Sequence, residues 1–442
     1  MSAAMETSYI AELRLTAFKS FRDAVLPMGE LTLVVGRNGS GKSNALDGLW
    51  TLARLAQGDD IRDALDGGRD GPAVRGGAAG GAPFGTSAFT LGCTARTGED
   101  VVTLDVQVQV EPDVQIVAER LALNGRVVLS SDPPTGGSSD ITAMWDDGRP
   151  GLAPDNAPRV TFRATRLLCT QVLSRVPATT AGRRVHAAAA QVVAALRSVF
   201  VLDPVPHLMR QYVPARDVLL RRDADNLSAA VRDLFEDPAN VEYLRAAMTT
   251  LNEQDVADIV ISKSELDDVM LTLVERTAAG PYPVSARVMS DGSLRFLAIL
   301  VALMQAPTVD TTPDVLADDD AVGQTLLVIE ELENGLHASQ ASTLVGLIRE
   351  QVASRRVRTL ATAHSPAVLD ALTGDEHANV VVCQRRPDGV STLARLVELP
   401  NYWRIATMGG LGNAAKADRL RAEVEAPISP GVAALEEILG RS

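Results

Sequence analysis

Apolar residues recur at every second position from Val102 through Leu104, Val106 and Val108 to Val110, the period of a strand with one buried face. Neighbouring stretches at 88–94 and 116–121 share this character, so 87–130 is expected to be β-rich, and 160–165 resumes a strand. Near the start, 9–18 carries Ile10, Leu13 and Leu15. The turn Pro27-Met28-Gly29-Glu30 then leads to Leu31-Thr32-Leu33-Val34-Val35, a short apolar run that stops at Gly36. From 44 the period changes: Ala45, Leu46, Leu49, Leu52, Ala53 and Ala56 fall at helical spacing. Helix is expected over 184–202 and through most of 226–275, with Asn226 as a cap, and over 293–305, which is apolar on most sides. Further along, 325–329 and 358–361 read as buried strands, 338–351 and 366–372 as helices, and 380–383 with 392–397 as a hairpin around Pro387-Asp388-Gly389. Alternation of strands and helices at both ends, with helical material between, predicts an α/β domain interrupted by a lobe.

Three segments break the pattern. The glycine- and alanine-rich 58–85 offers little to pack and reads as a flexible surface insertion, 130–158 is loose and rich in Asp, Gly and Pro, and 309–323 is an acidic loop. The 442 residues are 46% hydrophobic and 22% charged, ample for one large domain or two to three smaller units. A net charge of -14 makes attraction to a polyanion unlike the chain's average behaviour, so direct contact with DNA would need a local basic patch. Arg183-Arg184, Arg355-Arg356-Arg358 and Arg385-Arg386 are the candidates, and each reads equally well as solvated charge. Three scattered cysteines and five histidines give neither a disulfide framework nor a zinc module. With no signal-peptide pattern and no apolar run near the ~20 residues that span a bilayer, a cytoplasmic protein without a membrane segment is expected.

Lysine occurs at only four positions, Lys19, Lys42, Lys263 and Lys416, which makes one inside a motif informative. Gly36-Arg37-Asn38-Gly39-Ser40-Gly41-Lys42-Ser43 fits G-x-x-x-x-G-K-[ST], with a strand before it and a helix from about Asn44 after it. In that arrangement backbone N–H groups wrap a β-phosphate, the lysine reaches the β/γ oxygens and the serine hydroxyl meets Mg2+. A buried run, Leu326-Leu327-Val328-Ile329, ends in two acids: Glu330 is placed to hold the Mg2+ shell and Glu331 to activate water as general base. A third strand leads to His364, at a sheet's carboxyl edge, within reach of a γ-phosphate.

With these in order, the chain resembles ABC-type ATPases of the RecF, Rad50 and structural-maintenance-of-chromosomes class. More closely, it resembles compact bacterial AAA family ATPases related to the ATPase half of overcoming-lysogenization-defect nucleases. The matching segments are ELRLTAFKSFRD, GRNGSGKSNALDGLW, VLDPVPHLMRQY, DNLSAAV, MSDGSLRFLAIL, LLVIEELENGLH and TAHSP, which span nearly all of the chain. The resemblance implies a P-loop NTPase of ABC-ATPase head type with a β-rich N-terminal part and an inserted helical lobe. It divides the chain into 1–175, a lobe at 176–285, 286–420 and a tail at 421–442. It implies that Ser290 and Gly292 meet the nucleotide of a second copy, in a head-to-tail homodimer with two composite ATP sites. Lys42, Glu331 and His364 would be catalytic. Gly36, Asn38, Gly39, Ser40, Gly41, Ser43, Asn44 and Lys19, with Ser20 and Arg14 beside it, would line the nucleotide. Asn334 and His337 fall in the loop that crosses the interface, and Gln107, Gln109 and Gln171 are equal candidates for the glutamine that couples Mg2+ to the lobe.

Two departures stand out: Glu330 where many relatives have Asp, and Leu332 where they often have proline. No nuclease domain follows His364, so any DNA cutting is expected from a separate effector. The expected function is Mg2+-dependent ATP hydrolysis that drives a switch in a DNA-related or antiphage complex, in which the sequence permits but does not require direct DNA contact. The alternative is a slow-hydrolysing module that scaffolds a partner protein without acting on DNA.

Overall fold

The computed structural model describes residues 7–68, 73–131, 133, 139–149, 157–251, 255–305, 322–355, 357–400, 402 and 411. In chain order the strands are β1 (Thr7–Phe18), β2 (Phe21–Pro27), β3 (Leu31–Val35), β4 (Ala88–Thr97), β5 (Asp100–Gln109), β6 (Gln115–Leu123), β7 (Arg126–Ser131), β8 (Asp140–Trp145), β9 (Arg159–Arg163), β10 (Val199–Leu202), β11 (Val213–Pro214), β12 (Val256–Lys263), β13 (Asp268–Thr277), β14 (Gly280–Ser285), β15 (Val322–Gly323), β16 (Leu326–Ile329), β17 (Arg358–Ala363), β18 (Val380–Arg385) and β19 (Ser391–Arg395). The helices are α1 (Lys42–Gln57), α2 (Ile61–Asp66), α3 (Val172–Arg175), α4 (Thr180–Arg197), α5 (Pro206–Met209), α6 (Leu227–Leu234), α7 (Pro238–Leu251), α8 (Asp291–Gln305), α9 (Ala338–Arg355) and α10 (Pro366–Asp370).

A large mixed sheet runs in the order β10-β16-β17-β3-β18-β19-β2-β1-β4-β5-β6-β7-β8-β9. Its first five strands are parallel neighbours, and from β2 onward the sheet is an antiparallel meander. The parallel strands are buried along most of their length because both faces are covered, and even Thr32, Arg358, Thr359 and Thr362 within them are enclosed. Val34, Val328 and Leu360 enter one core with α1 and α4, while Leu33, Val35, Ile329 and Ala361 enter another with α6 to α9. The fold is thus mixed α/β.

Register decides the site. Leu202 pairs with Ile329, Ile329 with Ala361, Ala363 with Val35, and Val35 with Val382. The carboxyl ends of five parallel strands therefore lie at one edge, the position at which open α/β sheets bind ligands.

Four expectations change. Helix was expected through most of 226–275, but β12, β13 and β14 form a small antiparallel sheet with β11, so 176–285 is mixed rather than mainly helical. Val256, Ile259, Val260, Ile261, Val269 and Val274 are β-branched, and five successive buried residues, Val269 to Leu273, suit a covered strand better than a helix face. The same 176–285 segment also supplies β10 to the main sheet, so its start belongs to the α/β layer. The 58–85 insertion holds α2, and Ile61, Leu65, Val74 and Ala78 are buried. Its small residues allow close approach: Gly81 O accepts from Lys19 N at 2.9 Å, and a Cβ on Gly81 would lie 2.9 Å from the Phe89 ring. The loose 130–158 stretch contains β8, paired on both sides. Residues 309–321 of the acidic loop, together with the 421–442 tail, lie outside the described residues.

Candidate functional site

Gly36 to Gly41 turn out of β3 into α1 without a side-chain cap, which leaves the first N–H groups of the helix to the loop. Two positions require glycine. A Cβ on Gly36 would sit 2.3 Å from Cys383 O. Gly41 has φ 116°, and a Cβ there would lie 2.5 Å from Ser391 Oγ. The loop is pinned from outside, since Ser391 Oγ donates to Ser40 O at 2.6 Å and Asn44 Nδ2 donates to Ser20 Oγ at 2.9 Å. Lys42 arches back over the loop and donates to Gly36 O at 2.7 Å and Arg37 O at 3.1 Å. Burial lowers its pKa against the pull of Cys383, Glu331, Glu333 and Glu330.

Two cavities flank the loop. One of about 330 Å³ is lined by Asn38, Gly39, Gly41, Lys42, Ser43, Asn44, Glu331, Thr362 and Arg385. The other, about 370 Å³, lies against Gly36 to Ser40, His364, Leu369, Val382 and Arg385.

The acidic strand end is ordered on all sides. Ser43 Oγ donates to Glu330 Oε1 at 2.5 Å, and Arg75 forms an ion pair with Glu330 Oε2. Glu331 has φ 52°, unusual for a residue with a Cβ, and the Thr362 hydroxyl accepts from its N–H at 2.8 Å. Asn334 Nδ2 donates to Glu331 Oε2 at 3.3 Å. Beyond it, the buried Glu333 Oε1 accepts from the N–H groups of His364 at 2.5 Å and Ser365 at 2.6 Å, and lies 3.0 Å from His364 Nδ1. The same carboxylate thus sets both the backbone turn and the imidazole ring.

Hard oxygen donors at Ser43 and Glu330 suit Mg2+. Among the described residues no group of three or more His, Cys, Asp or Glu could hold a metal, so an ion here would take most of its oxygens from a phosphate chain and water.

Some sequence candidates lie elsewhere. Lys19 is buried and donates to Asp47 Oδ2 at 2.6 Å and to Arg75 O at 2.7 Å, and it lines neither cavity. Burial lowers its pKa while Asp47 raises it. Arg14 is engaged by Asp105, Thr94 and Cys93 O, a structural role in the meander. Gln171 donates to backbone carbonyls of Arg163, Arg166 and Leu167, which gives it a structural role too. Ser290 Oγ accepts from Ser293 N at 3.0 Å as the cap of α8, and Gly292 packs on Gly335, so both lie outside the two cavities. Arg358 is buried, donates to Met28 O at 2.6 Å and stacks over Tyr9, so it is removed from the basic patches. Arg75, Glu333 and Thr362 were missed as site residues, and Arg385 was read only as part of a possible DNA-contacting patch, not as a neighbour of the phosphate loop. Only Thr362 and Glu333, embedded in the acidic and histidine motifs, carried a local signal.

The family described as "AAA domain, putative AbiEii toxin, Type IV TA system" matches residues 181–370, a stretch that contains Ser290, Glu330, Glu331 and His364 but not the phosphate loop. No curated protein matches the chain. Among solved structures, an SmcHead bound to the C-winged helix domain of ScpA is 15% identical, with a TM-score of 0.45 over 87% of this chain and 97% of that one. The SMC head domain from Thermotoga maritima is 12% identical, with a TM-score of 0.40 over 88% and 98%. A Pyrococcus furiosus Smc head domain bound to the C-terminal domain of ScpA is 14% identical, with a TM-score of 0.43 over 88% and 96%.

Proposed function

We propose that the chain binds ATP with Mg2+ at the phosphate loop and hydrolyses it. The observation that carries this reading is convergence: Lys42 and Ser43 from the start of α1, Glu331 from the turn after β16 and Thr362 from β17 line one cavity, with Glu330 on the Ser43 hydroxyl. In this reading the loop N–H groups and Lys42 neutralise the β- and γ-phosphates, and Ser43 with Glu330 holds Mg2+, which supplies further charge neutralisation. The Glu331 carboxylate takes a proton from water as the water oxygen bonds to the γ-phosphorus and the bond to the β–γ bridging oxygen breaks. His364, fixed by Glu333, faces the released phosphate.

The head reading joins 1–175 and 286–420 around 176–285, with β3 seated between β17 and β18 in support. A second copy would present Ser290 and Gly292 to the same nucleotide, closing two composite sites between head-to-tail chains. The family match, whose description reads "putative AbiEii toxin, Type IV TA system", is in keeping with a role within a toxin–antitoxin pair, and a separate effector in a DNA-related or antiphage complex remains part of this proposal. The test is Lys42→Ala: ATP affinity by calorimetry should fall at least tenfold, and unchanged affinity refutes the assignment.

A further inference from the structure

Glu330 is held on both carboxylate oxygens, by the Ser43 hydroxyl at 2.5 Å on Oε1 and by the Arg75 guanidinium on Oε2. Arg75 comes from the glycine-rich insertion and is positioned through its own backbone. Its carbonyl accepts from Lys19 Nζ at 2.7 Å, Lys19 is tied to Asp47, and a second guanidinium nitrogen of Arg75 lies 3.8 Å from Asp47 Oδ1. Val74 is buried, and its N–H donates to Leu65 O at 2.8 Å, which anchors the segment. The pair is asymmetric in exposure: the Glu330 side chain is 15% exposed and that of Arg75 is 50%. The guanidinium can therefore leave for solvent while the carboxylate stays in place.

A divalent ion bound between Ser43 and Glu330 would place a second cation within a few ångströms of the first, on a carboxylate that Arg75 already neutralises. Like charges at that separation repel strongly in a partly buried site. We infer that Arg75 is a built-in competitor of the divalent cation at Glu330, so that metal entry with the nucleotide displaces the guanidinium. This deepens the ATP reading above and rests on it. Arg75 keeps Glu330 neutralised and oriented on Ser43 in the empty site, and its departure couples metal occupancy to the 73–82 segment.

The experiment titrates full-length protein with Mn2+ in the presence of a non-hydrolysable ATP analogue, with free Mn2+ read by electron paramagnetic resonance. Analogue affinity is measured separately with EDTA present. Arg75→Ala should lower the half-saturating Mn2+ concentration about two- to fivefold, the range for an ion pair with one half-exposed partner, with metal-free analogue affinity unchanged. Arg75→Lys, which keeps the charge, should stay near the parent. An unchanged Mn2+ titration in Arg75→Ala overturns the inference. Weaker metal-free analogue binding does so as well, because Arg75 would then be a phosphate contact. A parent that binds no analogue with or without Mn2+ overturns the ATP reading and this inference together.

Discussion

Glu330 and Glu331 are adjacent, yet their surroundings divide their roles. Glu330 meets a hydroxyl and a guanidinium, while Glu331 is turned by a left-handed backbone onto Asn334 and into the cavity beside Lys42. Holding a residue with a Cβ at positive φ costs about 1–2 kcal/mol, and the Thr362 hydroxyl on its N–H helps to fix it. A third carboxylate, far from the loop in sequence, shows what full burial does. Glu119 is fully enclosed and accepts from Leu168 N at 2.7 Å and Cys169 N at 2.8 Å, and burial pushes its pKa up to about 7 despite these bonds and the Cys169 thiol. A carboxyl whose folded pKa lies above its unfolded value binds more protons when folded, so its contribution is full below the ordinary glutamate range and is lost as pH rises through about 7. The loss is of the order of 3 kcal/mol. Thermal melting from pH 4.5 to 7.5 should show a shallower decline in Glu119→Gln than in the parent, even though the amide leaves one backbone N–H poorly paired. Parallel curves for the two proteins would refute this.

At the scale of elements, the helix α8 and the turn after β16 are locked by a missing side chain. A Cβ on Gly292 would lie 2.3 Å from Gly335 O and 3.2 Å from its carbonyl carbon, and Gly335 itself has φ 79°. Gly292→Ala must therefore push the start of α8 away from the loop that carries Glu333 and Asn334. The expected cost is about 1–3 kcal/mol, read as a lower melting temperature. An unchanged melting temperature would mean that the two elements do not pack in this way. Because the same loop holds His364 through Glu333, any movement of α8 is felt at the phosphate side of the site.

For the whole molecule, Ser290 and Gly292 lie outside the cavities that the chain's own phosphate loop borders, and in the proposed composite site they would come from a second copy. Glu331→Gln keeps the shape of the site but removes the proposed base. With ATP and Mg2+ it should accumulate as a dimer by size-exclusion chromatography with light scattering, and as a monomer once ATP is withdrawn. A variant that stays monomeric at saturating ATP refutes the composite site. Among the described residues no helix is long and apolar enough to cross a membrane.

Much of this was legible in local pattern. The strand Leu31–Val35, the loop to Ser43, the helix after it, the acids closing β16 and the histidine after β17 are each encoded within a few neighbouring residues, because phosphate and metal contacts need fixed spacing along one backbone turn. What local pattern missed depends on contacts distant in sequence. Arg75 reaches Glu330 across 255 positions, from a segment whose glycines and alanines suggest looseness until they are packed against Phe89 and the β1–β2 turn. The place of Arg385 beside the phosphate loop became visible only once parallel pairing had brought five strand ends to one edge, and the small sheet of β11 to β14 only through its own antiparallel pairing. Register is a property of paired chains, and no single stretch of residues contains it.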